Sequence, residues 1–166
     1  MQQQTFTFDN LPKNADELRA MPEAALATPF MTAALTVAAL CACGENPAAC
    51  VDMLNILKGP APLSPRDIQF LRERLANEAY KPFSYFAGAA PQNNYEPSKP
   101  YTVTVGTNPY SFPEAGYAKL FIASGGADSP RPVSFRQKPS TGQWFLNEYS
   151  SLLLGIRIPA AADPWA

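Results

Sequence analysis

From Thr28 to Cys43 the chain reads TPFMTAALTVAALCAC, sixteen positions without a charge. At helical period the apolar residues cover every side, with Thr32 and Thr36 as polar interruptions whose hydroxyls can bond back to the helix's own backbone. A helix that is apolar all round belongs in a protein core or in a membrane. From Ala24 to Cys43 the run approaches the roughly 20 residues that a span needs. Pro29 divides it, however, Glu23 and Glu45 flank it, and Lys, Arg, Trp and Tyr anchors are missing from both ends. The pattern therefore predicts a buried core helix and no membrane partner.

Three segments repeat one start signal. Thr28-Pro29, Asn46-Pro47 and Ser64-Pro65 each place a good N-cap residue directly before a proline at the first helical position. The helix from Pro47 carries Cys50, Val51, Leu54 and Leu57 at core-facing spacing and stops at Gly59-Pro60. The helix from Pro65 puts Ile68, Leu71 and Leu75 on one face and Arg66, Arg72, Glu73, Arg74 and Glu78 outward. Both are amphipathic, and the apolar stretch is expected to be their common partner. Ahead of them, residues 4–8 alternate as a short strand or an extended arm, and Asn14 with Glu17 forms a capping-box pair for a short helix that Pro22 stops or kinks.

From Tyr101 onward the period becomes two. Tyr101, Val103 and Val105 share one face, as do Ala118, Leu120 and Ile122. PVSFRQK and QWFLNEY flank the turn Pro139–Gly142 as a hairpin, and SLLLGIRIP is expected to be a last strand ending at Pro159. The fold class is thus α+β, in one domain. A helical layer (about 14–80), three to four helices around the buried one, packs on an antiparallel sheet of about five strands (about 101–159). A Pro- and aromatic-rich junction (about 81–100) joins them, and residues 160–166 form a tail. The junction's Phe83, Tyr85, Phe86 and Tyr95 either pack it onto the core or form a binding lip.

Composition narrows the functional classes. A net charge of −1 with scattered Lys and Arg offers no field for nucleic acid. The opening MQQQTFTFDN has no basic region followed by an apolar run, so the expected location is the cytoplasm. In that setting Cys41, Cys43 and Cys50, an odd count, are expected to be reduced, and with no histidine and no fourth cysteine they do not complete a zinc site. The missing histidine also removes Ser-His and Cys-His nucleophile pairs. No phosphate loop, dinucleotide fingerprint or G-x-S-x-G appears, so no cofactor is expected.

Several stretches together resemble a family of small uncharacterised domains of Gram-positive anaerobic bacteria. They are Thr28-Pro29-Phe30, Leu54 to Pro60, Pro82 to Phe86, Gly125 to Val133, and Ala162-Asp163-Pro164-Trp165. The resemblance covers almost the whole chain and implies no chemical role for any residue. The strand Gly142-Gln143-Trp144-Phe145-Leu146 also looks like the final strands of cystatin-like or nuclear-transport-factor-like sheets, an analogy of fold that assigns no function.

Two features remain as candidate sites. In the loop Ser124–Pro132 two glycines allow close backbone approach, Asp128-Ser129 can form a local turn, and Pro130 and Pro132 stiffen the chain around Arg131. A rigid loop presenting one Arg suits a carboxylate or phosphate; the alternative is a hairpin connection whose Arg131 pairs with Asp128 or a neighbouring strand. In the tail, Trp165 either folds back onto its own domain or docks on a partner. With Tyr95 and Tyr101 these residues define a non-enzymatic binding or interaction module for a protein or a small anionic ligand. The alternative is a small enzyme with a pocket between sheet and helices, using Tyr101, Tyr117 and Asp128, or carboxylates such as Asp128, Glu148 and Asp163, for acid-base work. A third reading is a structural subunit of a larger assembly.

Overall fold

A computed structural model of the chain describes residues Met1 to Ala166. The elements follow in the order β1 (Gln3–Phe8), α1 (Ala15–Arg19), α2 (Pro29–Leu40), α3 (Pro47–Lys58), α4 (Pro65–Leu75), β2 (Tyr101–Gly106), β3 (Tyr117–Ile122), β4 (Arg131–Gln137) and β5 (Trp144–Glu148), an α+β fold. All three Xaa-Pro starts form as expected: the side chains of Thr28, Asn46 and Ser64 accept the backbone N–H groups of Met31, Ala49 and Asp67. At Ser64 the bond is reciprocated, its own N–H donating to Asp67 Oδ2 at 2.8 Å. Asn14 caps α1 likewise, but Glu17 reaches back to the N–H of Lys13, one residue before the cap.

Every residue of α2 except Met31 is buried, and the helix touches α3, β2, β3 and β5. Leu35 at its centre is fully enclosed, and burying such a side chain stabilises the fold by roughly 1.5–3 kcal/mol. Thr36 donates to Thr32 O at 2.7 Å, satisfying its hydroxyl inside the helix. Thr32 instead reaches out of the helix to Trp144 O in β5 at 2.6 Å. The second amphipathic helix departs from expectation: α4 makes no substantial contact with α2 and buries only Leu71 and Leu75. Its charged residues leave too narrow an apolar stripe for a central seat. Its C-terminus is tied down by buried Lys81, whose ammonium donates to Arg74 O at 2.8 Å and to Glu78 Oε2 at 3.0 Å.

The sheet runs β1-β2-β3-β4-β5 with every neighbouring pair antiparallel. Val103, Val105, Ala118, Leu120, Ile122, Val133, Phe135 and Leu146 are buried, as the alternation predicts. The number of strands matches expectation, but the fifth is supplied by the N-terminus, so helices do not simply precede strands. The stretch from Ser151 to Pro159 forms no strand. A 3-10 turn spans Ser150–Leu153, and successive residues Leu152 and Leu153 are both buried, which a strand with one face in solvent does not allow. Strands β2 and β3 pair only at Val105–Ile122 and Gly106–Phe121. Beyond those pairs the junction inserts, Ala87 N–H donating to Thr102 O at 2.8 Å.

The cysteines also differ from expectation. Cys43 and Cys50 form a disulfide, because the turn after α2 returns the first helical turn of α3 to within 4.9 Å between Cα atoms, inside the span a bridge requires. Cys41 remains a free, buried thiol. No helix is long and apolar enough to cross a membrane.

Candidate functional site

The loop Ser124–Pro132 is held by its neighbours on all sides. Gly125 N–H donates to Ser84 O at 2.8 Å, Ser124 and Ser84 share a hydroxyl bond at 2.7 Å, and Gly126 O accepts from Arg157 N–H at 2.9 Å. A Cβ at Gly126 would run into the ring and hydroxyl of Tyr95, so glycine is needed there for close approach. Arg131 turns its guanidinium toward protein carbonyls, with Nε donating to Leu154 O at 3.1 Å and Nη2 to Gly155 O at 3.0 Å, while Nη1 meets Ser129. A guanidinium engaged in this way caps a backbone turn and has little capacity left for an anion. Asp128 pairs with Arg157 at 2.9 Å, both exposed, a contact worth about 1 kcal/mol or less. The Arg131–Asp128 pairing is therefore absent; the loop clasps the segment Leu154–Arg157 to the sheet.

Tyr95 belongs to the same clasp. It is buried, stacks on Tyr80 with ring centroids 5.2 Å apart and donates its hydroxyl to Arg157 O. Tyr85 likewise donates to Leu152 O at 2.6 Å, and burial pushes its pKa up. Tyr85, Phe86 and Tyr95 are buried and thus anchor the junction in the core. Trp165 does not fold back: it is 93% exposed, although Asp163 accepts its backbone N–H at 2.8 Å.

The residues suggested for acid-base chemistry stay apart. Tyr117 opens β3 under Arg136, whose guanidinium lies 5.7 Å from its ring, whereas Asp128 lies in the loop beyond the other end of that strand. Glu148 accepts from Ser150 N–H at 2.7 Å and Asp163 from Trp165 N–H, each in a local turn. Burial pushes the Cys41 thiol well above its ordinary pKa, so it stays protonated and unreactive.

What the fold does leave open is a furrow on the helical side. One groove, about 910 Å³, lies between α3 and α4 over Val51, Ile68, Leu71 and Leu75, with Asp52 and Arg72 at its rim. A second, about 810 Å³, runs over Leu11, Tyr80, Phe83 and Tyr101, with Lys13 and Lys99 beside Asp9 and Glu45. Both include Gly44, Asn46 and Ala79, so they lie on either side of one wall next to the Cys43–Cys50 bridge, where Gly44 packs closely on Ala79. The Lys99 ammonium lies 5.9 Å from the centre of the Tyr101 ring, within cation-π range. The Tyr80 hydroxyl is enclosed without a hydrogen-bond partner; burial and the nearby Glu78 carboxylate push its pKa up. Of the six residues first considered for binding, only Tyr101 lines this furrow.

A family model described as "Domain of unknown function (DUF6935)" matches residues 10–160. The chain belongs to this family. Searches of curated proteins and of solved structures return no match. The DUF6935 match covers the clasp and the lining of both grooves except Asp9, and agrees with the resemblance to domains without an assigned role. Within this DUF6935 domain little in the residue pattern foretells the furrow. In that pattern Phe83 is open to both core packing and a binding lip, and the Lys and Arg residues are scattered along the sequence. Only chain topology brings Lys13 and Lys99 to one rim.

Proposed function

We propose that the domain is a non-catalytic binding module and that its ligand lies in the furrow. The observation that carries this reading is the pair of adjoining grooves, one over Val51, Ile68, Leu71 and Leu75 and one over Leu11, Tyr80, Phe83 and Tyr101, which share the wall Gly44, Asn46 and Ala79. Its rims carry both charge signs, Lys13, Lys99 and Arg72 against Asp9, Glu45 and Asp52, which suits an extended peptide with apolar anchors better than a compact anion. The aromatic end, with Tyr80, Phe83 and Tyr101, offers the stiff contact area typical of binding hot spots.

Peptides selected from a displayed library on the immobilised domain test this. Binding should weaken at least tenfold in the double variant Lys99→Glu with Tyr101→Ala while thermal stability stays within a few degrees. Amide chemical shifts should move at Ala79, Tyr80 and Tyr101. Selected peptides that bind the variant equally well, or shift only residues outside the furrow, would contradict the proposal. The Cys43–Cys50 bridge supports an oxidising environment in place of the cytoplasm, because reducing compartments keep thiols apart. Alkylation of denatured, unreduced protein should then modify one cysteine, Cys41; modification of all three would restore the cytoplasmic reading.

A further inference from the structure

The two edges of the sheet are treated differently. At β5, Trp144 N–H donates to Leu26 O at 2.9 Å, Trp144 O accepts from Thr32 and Asn147 O accepts from the Lys58 ammonium at 3.0 Å. At β1 the outward backbone groups meet nothing. Thr107 N–H donates to Gln2 O, and Thr102 O turns away from β1 to Ala87 N–H. With the register Gln4–Val105, Phe6–Val103 and Phe8–Tyr101, these bonds fix the alternation: Gln4, Phe6 and Phe8 bond to β2, and Gln3, Thr5 and Thr7 aim N–H and C=O at the free edge. The side chains of Gln3, Thr5 and Thr7 are exposed. Residues 2–8, QQQTFTF, contain no charge, no proline and no bulge, the devices by which exposed edges are ordinarily blocked.

We infer that β1 is a docking edge for a second copy of this chain, paired antiparallel about a two-fold axis at Thr5. In that register Thr5 faces Thr5 of the other copy and Gln3 faces Thr7, so every outward N–H and C=O of these residues finds a partner, six bonds in all. Two five-stranded sheets become one of ten. The Thr5–Thr5 contact continues the row begun by the 2.9 Å bond between the Thr5 and Thr104 hydroxyls. Two features select a second copy over a foreign peptide. The strand is uncharged on both sides of the contact, so like charges do not oppose self-pairing. The exposed row of Gln and Thr also has no pocket to choose among foreign side chains. Because the two-fold contact uses the same edge of both copies and the helical layer screens β5 at Trp144 and Asn147, growth stops at a pair and no filament follows. The contact is small for a protein interface, so the association is of micromolar strength or weaker.

Sedimentation equilibrium across protein concentration tests it. The weight-average mass of the wild type should rise from 18.0 kDa toward twice that value as protein approaches about 1 mM. Thr5→Pro removes an outward N–H, and Thr5→Lys sets two ammonium groups face to face; each should weaken association at least tenfold. Amide exchange in the wild type should slow with concentration at Gln3, Thr5 and Thr7 and stay constant at Gln4, Phe6 and Phe8. A mass fixed at 18.0 kDa throughout, a dimer indifferent to Thr5→Lys, or a dimer whose Thr5 amide exchanges freely would each overturn the proposal.

Discussion

Strands β5 and β1 lie at the two ends of one sheet, and they solve the same problem in opposite ways. An edge strand leaves every second residue's backbone unpaired. Around β5 the helical layer supplies partners at both ends of the strand, to Trp144 from Leu26 ahead of α2 and from Thr32 within it, and to Asn147 from Lys58 at the end of α3. Nothing is supplied to β1, which is as polar outward as β5 is covered. The buried helix therefore does more than fill the core. It closes one side of the sheet, and thereby fixes which side remains available to another chain.

Substitutions should grade accordingly. Leu35→Asp places an unpaired charge inside α2 and should cost more than about 4 kcal/mol, leaving no cooperative thermal transition. A near-normal melting temperature would show that α2 is not the centre of the fold. Thr32→Val keeps the shape of the side chain but leaves Trp144 O without its donor, an expected loss of about 1–3 kcal/mol by urea unfolding. Lys58→Ala removes the more exposed bond to Asn147 O, for about 1 kcal/mol or less. Thr5→Val on the open edge and Asp128→Asn in the clasp should both stay within about 0.5 kcal/mol. If Thr5→Val cost as much as Thr32→Val, the contrast between the edges would be lost.

Local chemistry made much of the fold readable. The three Xaa-Pro caps, the uncharged run of α2 and the alternation of β2 to β4 each carry their cause in adjacent residues, and each forms as expected. What failed depended on distant partners. QQTFTF gives no sign of its pairing with TVTV nearly a hundred residues later. SLLLGIRIP is β-like in composition, but Leu152 and Leu153 are both drawn into the core by the turn that Tyr85 and Arg131 hold. The Cys43–Cys50 pair depends on how two helices meet. Arg131 had the right neighbours for an anion site, yet its donors are taken by carbonyls from a segment more than twenty residues away.

Residue-resolved amide exchange of the dilute, monomeric protein compares the two edges directly. The Trp144 amide, bonded to Leu26 O, should exchange only through global unfolding, whereas the Thr5 amide should exchange at nearly the rate of an unfolded chain. A fast Trp144 amide, or a protected Thr5 amide in the monomer, would contradict the account of a sheet closed at β5 and open at β1.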